Sequence, residues 1–135
     1  MISPTGKGLR KADKWGKGCY GASRQKGTRL HKGADYVCKP GQDIIAPIGG
    51  IIARESRPYG EPDWLYRYSG LIMYNELCNI TLFYLEPLRF LIGTMVRMGD
   101  KIGIAQDISE KYAEMVPHIH LQINSIDPEL FMNFL

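Results

Sequence analysis

Glycine and proline break this chain too often for long helices. The 15 glycines and 8 prolines are dispersed among short apolar runs, and no stretch shows the i, i+3, i+4 repeat of an amphipathic helix. Extended segments and turns remain, which predicts a mainly β, single-domain fold: an antiparallel sheet core with short helical turns and long loops. The pattern predicts strands at 35–38, 43–46, 51–55, 71–74, 77–85, 102–105 and 117–123. A hairpin near Asn75-Glu76 joins two of them, Pro87 ends the second, and residues 107–115 read as a helical turn or two. Arg57 to Tyr68 reads as a loop whose Trp64, Tyr66 and Tyr68 either cover a groove or pack down. In a strand successive side chains alternate faces, so Ile119, Leu121 and Ile123 point one way and His118, His120 and Gln122 the other.

That second face draws attention because the chain has only 3 histidines and all of them fall in two short motifs, His31-Lys-Gly-Ala-Asp35 and His118-Ile-His120. Either motif alone is an ordinary surface or hydrogen-bonded pair. Together they offer imidazole nitrogens and a carboxylate oxygen, the donors that zinc takes. Three protein ligands leave a fourth position open, as in catalytic rather than closed structural sites.

Charge is unevenly spread. Residues 1–32 hold nine Lys/Arg against the single acid Asp13, whereas the remainder holds eight against thirteen Asp/Glu. Residues 1–27 therefore read as a basic N-terminal arm before a β domain at 28–135. The arm is either a mobile solubilising tail or a partner surface, with Lys7, Lys11, Lys14, Lys17, Arg24, Lys26, Arg29 and Lys32 suited to a sulfated glycan or an acidic cell-surface receptor. Basic charge without a recognition motif argues against nucleic acid. No run approaches the ~18 apolar residues that a membrane span needs, and the first residues lack the apolar core of a signal peptide.

Of three cysteines, Cys78 lies in an apolar run and reads as a buried thiol. Cys19 and Cys38 flank the first histidine motif, and a bridge between them would tie the basic arm to the domain if the compartment is oxidising; the sequence leaves their oxidation state open.

The order of motifs carries a resemblance. His31-x-Gly33-x-Asp35 is followed by Pro40-Gly41, Ala46-Pro47, Gly50, Gly99-Asp100, Gly103, His118-x-His120 and Asp127-Pro128. This series resembles the lysostaphin-type (LytM-like) zinc endopeptidases over nearly everything from His31 onward. Gly18-Cys-Tyr-Gly-Ala-Ser-Arg24, Asp35-Tyr-Val-Cys38 and Phe83-Tyr-Leu-Glu-Pro87 are more similar to the leukocyte cell-derived chemotaxin-2 and myb-induced myeloid protein-1 group. The resemblance implies one Zn2+ per chain on His31, Asp35 and His120, with His118 in the place of a peptidase catalytic group.

It also exposes a departure. Active peptidases carry a further histidine in the central strand, and Tyr84 or Leu85 stands near its place. The resemblance therefore implies a secreted, zinc-binding signalling protein without peptidase activity, although this chain shows no signal peptide. In that group a cysteine partners the one at Cys78, and Asn124 lies in the corresponding region. The alternative is a zinc endopeptidase cleaving glycyl peptides or peptidoglycan cross-links, with His118 as base and the Tyr84 phenol replacing the missing imidazole.

Overall fold

The computed structural model describes residues 1–135 except 25–26, 28, 61–66, 124–126 and 133–135. The strands are β1 (Ser23–Arg24), β2 (Arg29–Leu30), β3 (Ala34–Val37), β4 (Asp43–Ile45), β5 (Gly50–Ser56), β6 (Gly70–Tyr74), β7 (Asn79–Phe83), β8 (Leu85–Pro87), β9 (Met95–Val96), β10 (Lys101–Ala105) and β11 (His118–Gln122). They form an antiparallel six-stranded sheet in the order β3-β11-β7-β6-β5-β9, a three-stranded sheet β4-β10-β8, and the small ribbon β1-β2. Helical structure among the described residues is limited to short 3₁₀ turns such as Ile108–Glu110, which Asp107 caps by accepting from the Ser109 backbone N–H. This is the mainly β, antiparallel architecture that the punctuation predicts.

The core follows from strand alternation. Ile119, Leu121 and Ile123 are at most 1% exposed and join Ala34, Tyr36, Ile44, Ile52, Leu71, Leu82, Leu85 and Ile102 in one apolar cluster. Each Ile or Leu among them, fully buried, contributes about 1.5–3 kcal/mol of transfer free energy. In the opposite phase Asp35, His120, Phe83 and Gly70 lie in register across β3, β11, β7 and β6.

Several expectations need correction. The run 77–85 is not one strand: β7 ends at Phe83 and β8 begins at Leu85 in the other sheet, paired with β10. The chain changes sheets at Tyr84, whose φ of 76° is uncommon for a residue with a side chain. The hairpin lies where predicted, held by Asn75 Oδ1 accepting from the backbone N–H groups of Leu77 and Cys78. Cys78 is half-buried rather than buried, and Cys19, Cys38 and Cys78 are all free thiols. The open question of a Cys19–Cys38 bridge is answered by two separate thiols: Cys38 packs into the apolar cluster, of which Cys19 is not a member. Burial pushes the Cys38 thiol up to about 12. Trp64, Tyr66 and Asn124 lie outside the described residues, while Tyr68 packs down, its hydroxyl donating to the Asp107 carbonyl at 3.0 Å.

The basic N-terminal segment is laid along the sheet edge. Leu9 bridges Tyr36 of β3, Val37 donates to the Gly8 carbonyl, and Ile45 donates to the Pro4 carbonyl. Met1 and Thr5 are buried. An otherwise open edge strand is thereby covered, which removes a site for pairing with other chains.

Candidate metal centre

Three elements meet on the polar face of β11. His31 follows β2, Asp35 lies on β3, and His120 lies on β11 directly opposite Asp35. His31 Nε2 is 3.1 Å from His120 Nδ1 and 3.1 Å from Asp35 Oδ1, and His120 Nδ1 is 2.9 Å from Asp35 Oδ1. Zinc bonds of 2.0–2.1 Å in tetrahedral geometry set donor atoms about 3.3 Å apart. The three atoms form a triangle close to that size, so the donor set fits zinc in kind and spacing.

The outer bonds of these side chains aim the inner atoms. His31 Nδ1 donates to the Cys19 carbonyl at 2.9 Å, which fixes the tautomer that leaves Nε2 free to ligate. His120 Nε2 donates to Gln122 Oε1 at 3.3 Å and leaves Nδ1 facing inward. Asp35 keeps Oδ1 in the triangle while Oδ2 accepts from Arg10, Nη2 at 3.0 Å and Nε at 3.3 Å. Gly33 makes room for this packing: a Cβ there would lie 2.5 Å from the Leu121 carbonyl oxygen and 2.7 Å from the His120 ring.

Electrostatics favour the ligating forms. Burial alone raises the Asp35 carboxyl pKa, but the His118, His120 and His31 imidazoles beside it outweigh burial and hold the group well below the carboxylate range. Burial also pulls the His118 imidazole below its ordinary value, against the opposing pull of Asp35. His118 donates through Nδ1 to the Val116 carbonyl at 2.8 Å, and its Nε2 lies 3.5 Å from Asp35 Oδ2. His118 is thus beside the triangle and outside it.

The triangle opens into a cleft of about 840 Å³. Facing it is a wall of tyrosines. Tyr84 meets His118 edge-on with ring centroids 5.3 Å apart, and its hydroxyl lies 2.9 Å from that of Tyr59, which donates onward to Tyr112 at 3.3 Å. Lys111 Nζ sits 3.7 Å from the Tyr112 ring centroid and 4.5 Å from that of Tyr59. Burial pushes the Tyr84 and Tyr59 phenols up, so both are neutral donors at ordinary pH. Of Tyr84 and Leu85, the two residues that the resemblance sets near a peptidase histidine, Tyr84 lines the cleft and Leu85 is in the core.

Sequence reasoning identified every member of the triangle and His118. It missed Arg10, which has no pattern to distinguish it from its basic neighbours, and Tyr59, whose loop was flagged through other aromatics. Arg24, grouped with the partner-facing cations, is instead turned inward: it donates to the Lys17 carbonyl at 2.7 Å and lies 3.8 Å from Asp35 Oδ2.

Comparison with known proteins bears on the fold. No family model matches the chain. Its homologues are leukocyte cell-derived chemotaxin-2 of Bos taurus, 27% identical over 121 residues and covering 87% of this chain and 76% of that protein, and the Mus musculus protein, 26% identical over 125 residues with 92% and 79% covered. Myeloid protein 1 of Gallus gallus is 26% identical over 115 residues, 84% of this chain but 34% of that one. Among solved structures, lysostaphin superposes with a TM-score of 0.62 at 22% identity, over 87% of this chain and 49% of its own. A zinc-containing peptidase from Vibrio cholerae superposes with a TM-score of 0.60 at 17% identity, over 93% and 37%. The chain thus spans about half of lysostaphin, and at these identities the structural likeness establishes the fold. The fold is the lysostaphin peptidase type, and the homologues are chemotaxin-like.

Proposed function

We propose that this chain is a secreted, zinc-binding, chemotaxin-like signalling protein on a degenerate peptidase scaffold, with one Zn2+ held by His31, Asp35 and His120 and no peptidase activity. One observation carries the reading: a correctly spaced donor triangle shares its cleft with Tyr84, near the place where the peptidases that the chain resembles carry a further histidine. Bound zinc supplies Lewis acidity and ties its ligands together. The ligands here join the start of β3 to the final strand, so metal affinity adds to folding free energy. The Tyr84 hydroxyl is already engaged by Tyr59, which leaves the tyrosine wall satisfied within itself. Secretion and signalling rest on the chemotaxin homologues.

For partners, Lys7, Lys11, Lys14, Lys17, Arg29 and Lys32 are exposed, Lys26 lies outside the described residues, and these exposed cations are the ones offered to a sulfated glycan or acidic receptor. Heparin retention that collapses between low and high salt supports this surface; salt-independent retention contradicts it. Among the described residues no helix is long and apolar enough to cross a membrane.

A second reading, glycyl-peptide or peptidoglycan hydrolysis, is favoured by the placement of His118 and Tyr84. His118, its pKa lowered by burial, offers Nε2 as base, and the neutral Tyr84 phenol becomes a donor to substrate once it turns away from Tyr59. A positioned acid or base is worth about 10²–10⁴ in rate, so an enzyme with tyrosine in place of histidine is expected to be slow. The deciding experiment pairs thermal melting with and without a chelator against turnover of glycyl peptides and peptidoglycan. The proposal expects a lower melting temperature on chelation and no turnover. Zinc-dependent turnover that is lost in His118→Ala establishes the second reading instead.

A further inference from the structure

Arg10 is only 2% exposed, although it comes from the basic segment that precedes the β domain and its neighbour Lys11 is in solvent. We propose that Arg10 is a positioning residue of the metal centre: its fork grips Asp35 by Oδ2 so that Oδ1 alone is presented beside His31 and His120. The inference rests on the zinc reading above and adds to it a residue from a segment that contributes no ligand.

The geometry divides the carboxylate between two tasks. Oδ1 lies 2.9 Å from His120 Nδ1 and 3.1 Å from His31 Nε2, while Oδ2 receives Arg10 Nη2 at 3.0 Å and Nε at 3.3 Å. An ungripped carboxylate can rotate or present both oxygens to a cation. A planar guanidinium contributing two donors fixes the orientation of the carboxylate and keeps it ionised.

Arg10 is itself clamped. Its Nη1 donates to Asp13 Oδ2 at 2.7 Å and to the Gly16 carbonyl at 2.9 Å. Its backbone N–H donates to the Asp35 carbonyl at 2.7 Å, Gly18 donates to the Arg10 carbonyl at 3.1 Å, and Asp35 donates to the Gly18 carbonyl at 2.8 Å. A Cβ on Gly18 would lie 2.7 Å from Arg10 Cβ and 3.1 Å from Asp35 Cβ, so three backbone segments approach here as closely as glycine allows. The guanidinium has one place to sit.

Neither neighbour substitutes for it. Arg24 Nη2 is 3.8 Å from Oδ2 and held by the Lys17 carbonyl. His118 Nε2, at 3.5 Å, is a single donor and only when it carries that proton. Without Arg10, Oδ2 is free to turn toward the metal or toward His118.

The test is zinc affinity of the full chain by competition with a chromophoric chelator, alongside the visible ligand-field spectrum of the Co2+-loaded protein. The parent, Arg10→Met and Arg10→Lys are compared, with far-UV circular dichroism of each metal-free form to verify folding. Loss of a partner that orients a metal ligand typically costs about 10–100-fold in affinity. That loss is expected for Arg10→Met with an altered Co2+ spectrum. Arg10→Lys, which keeps the charge but not the fork, should fall between Arg10→Met and the parent. Folded variants with parental affinity and a parental Co2+ spectrum overturn the inference while leaving the zinc reading intact. Should Arg10→Met fail to fold, Arg10→Lys decides: parental affinity and spectrum in that variant overturn the inference. A parent that takes up no zinc overturns the zinc reading and this inference with it.

Discussion

On the wall of the cleft that carries His31, Asp35 and His120, each histidine bonds outward to a backbone carbonyl or a side-chain amide, and the carboxylate's second oxygen is gripped by Arg10. On the facing wall, Tyr59, Tyr84 and Tyr112 bond to one another through their hydroxyls. The first wall has inner atoms converging on one point and outer atoms holding them there, which is how a metal centre is built. The second is closed on itself. Retention of the first wall needs many residues to agree, whereas loss of a catalytic group needs one substitution, and under the proposed function this pair of walls keeps the ion and gives up the chemistry.

The contrast can be broken at graded cost. Asp35→Ala removes a proposed ligand and one of the two carboxylates paired with buried Arg10, Asp13 remaining at 2.7 Å. Breaking a buried pair costs about 3–5 kcal/mol, so urea unfolding should show a loss of up to that size together with loss of zinc. Gly33→Ala pushes a methyl against the Leu121 carbonyl and the His120 ring. Overpacking of this kind costs about 1–3 kcal/mol, and zinc content should fall with it. A small loss of stability with full zinc retention would show that this close approach is not needed.

Acid should weaken the metal wall of the metal-free protein before the rest of the fold. His118 has its pKa lowered from 6.5 in the folded state. The unfolded chain therefore binds the proton first, and stability present above that pH declines as pH falls below it. The slope is at most about 1.4 kcal/mol per pH unit for this group. Asp35, also depressed, adds a further decline below the ordinary carboxylate range. Chemical denaturation between pH 7.5 and 5 measures the first effect, and His118→Gln should flatten it. The smallest change is Tyr84→Phe, which deletes one hydroxyl from the closed wall. About 0.5–1.5 kcal/mol is expected for that hydrogen bond, with zinc content unaltered. Altered zinc binding in Tyr84→Phe would couple the two walls beyond the ring contact of Tyr84 with His118.

Much of the metal wall was legible in the sequence because three histidines leave few ways to choose and because strand periodicity puts His118 and His120 on one face. The sheet was legible for the same reason, since alternation at 117–123 and apolar runs at 71–74 and 102–105 survive folding as strands. Other features depend on contacts that local pattern does not encode. The run 77–85 is continuously strand-like, yet a left-handed φ at Tyr84 sends its end into the other sheet. Met95–Val96 forms a sheet edge from two residues, too few to show a period. The N-terminal segment reads as a charged tail because its attachment is made by backbone hydrogen bonds and by one arginine meeting Asp35, neither of which composition reveals.

The central claim is tested most directly by the zinc content of the purified chain, measured by mass spectrometry after dialysis against metal-free buffer, with His120→Ala prepared in parallel. One zinc per chain in the parent and little in the variant is the predicted result. A parent that retains none, even after reloading with zinc, contradicts the account and leaves only the fold.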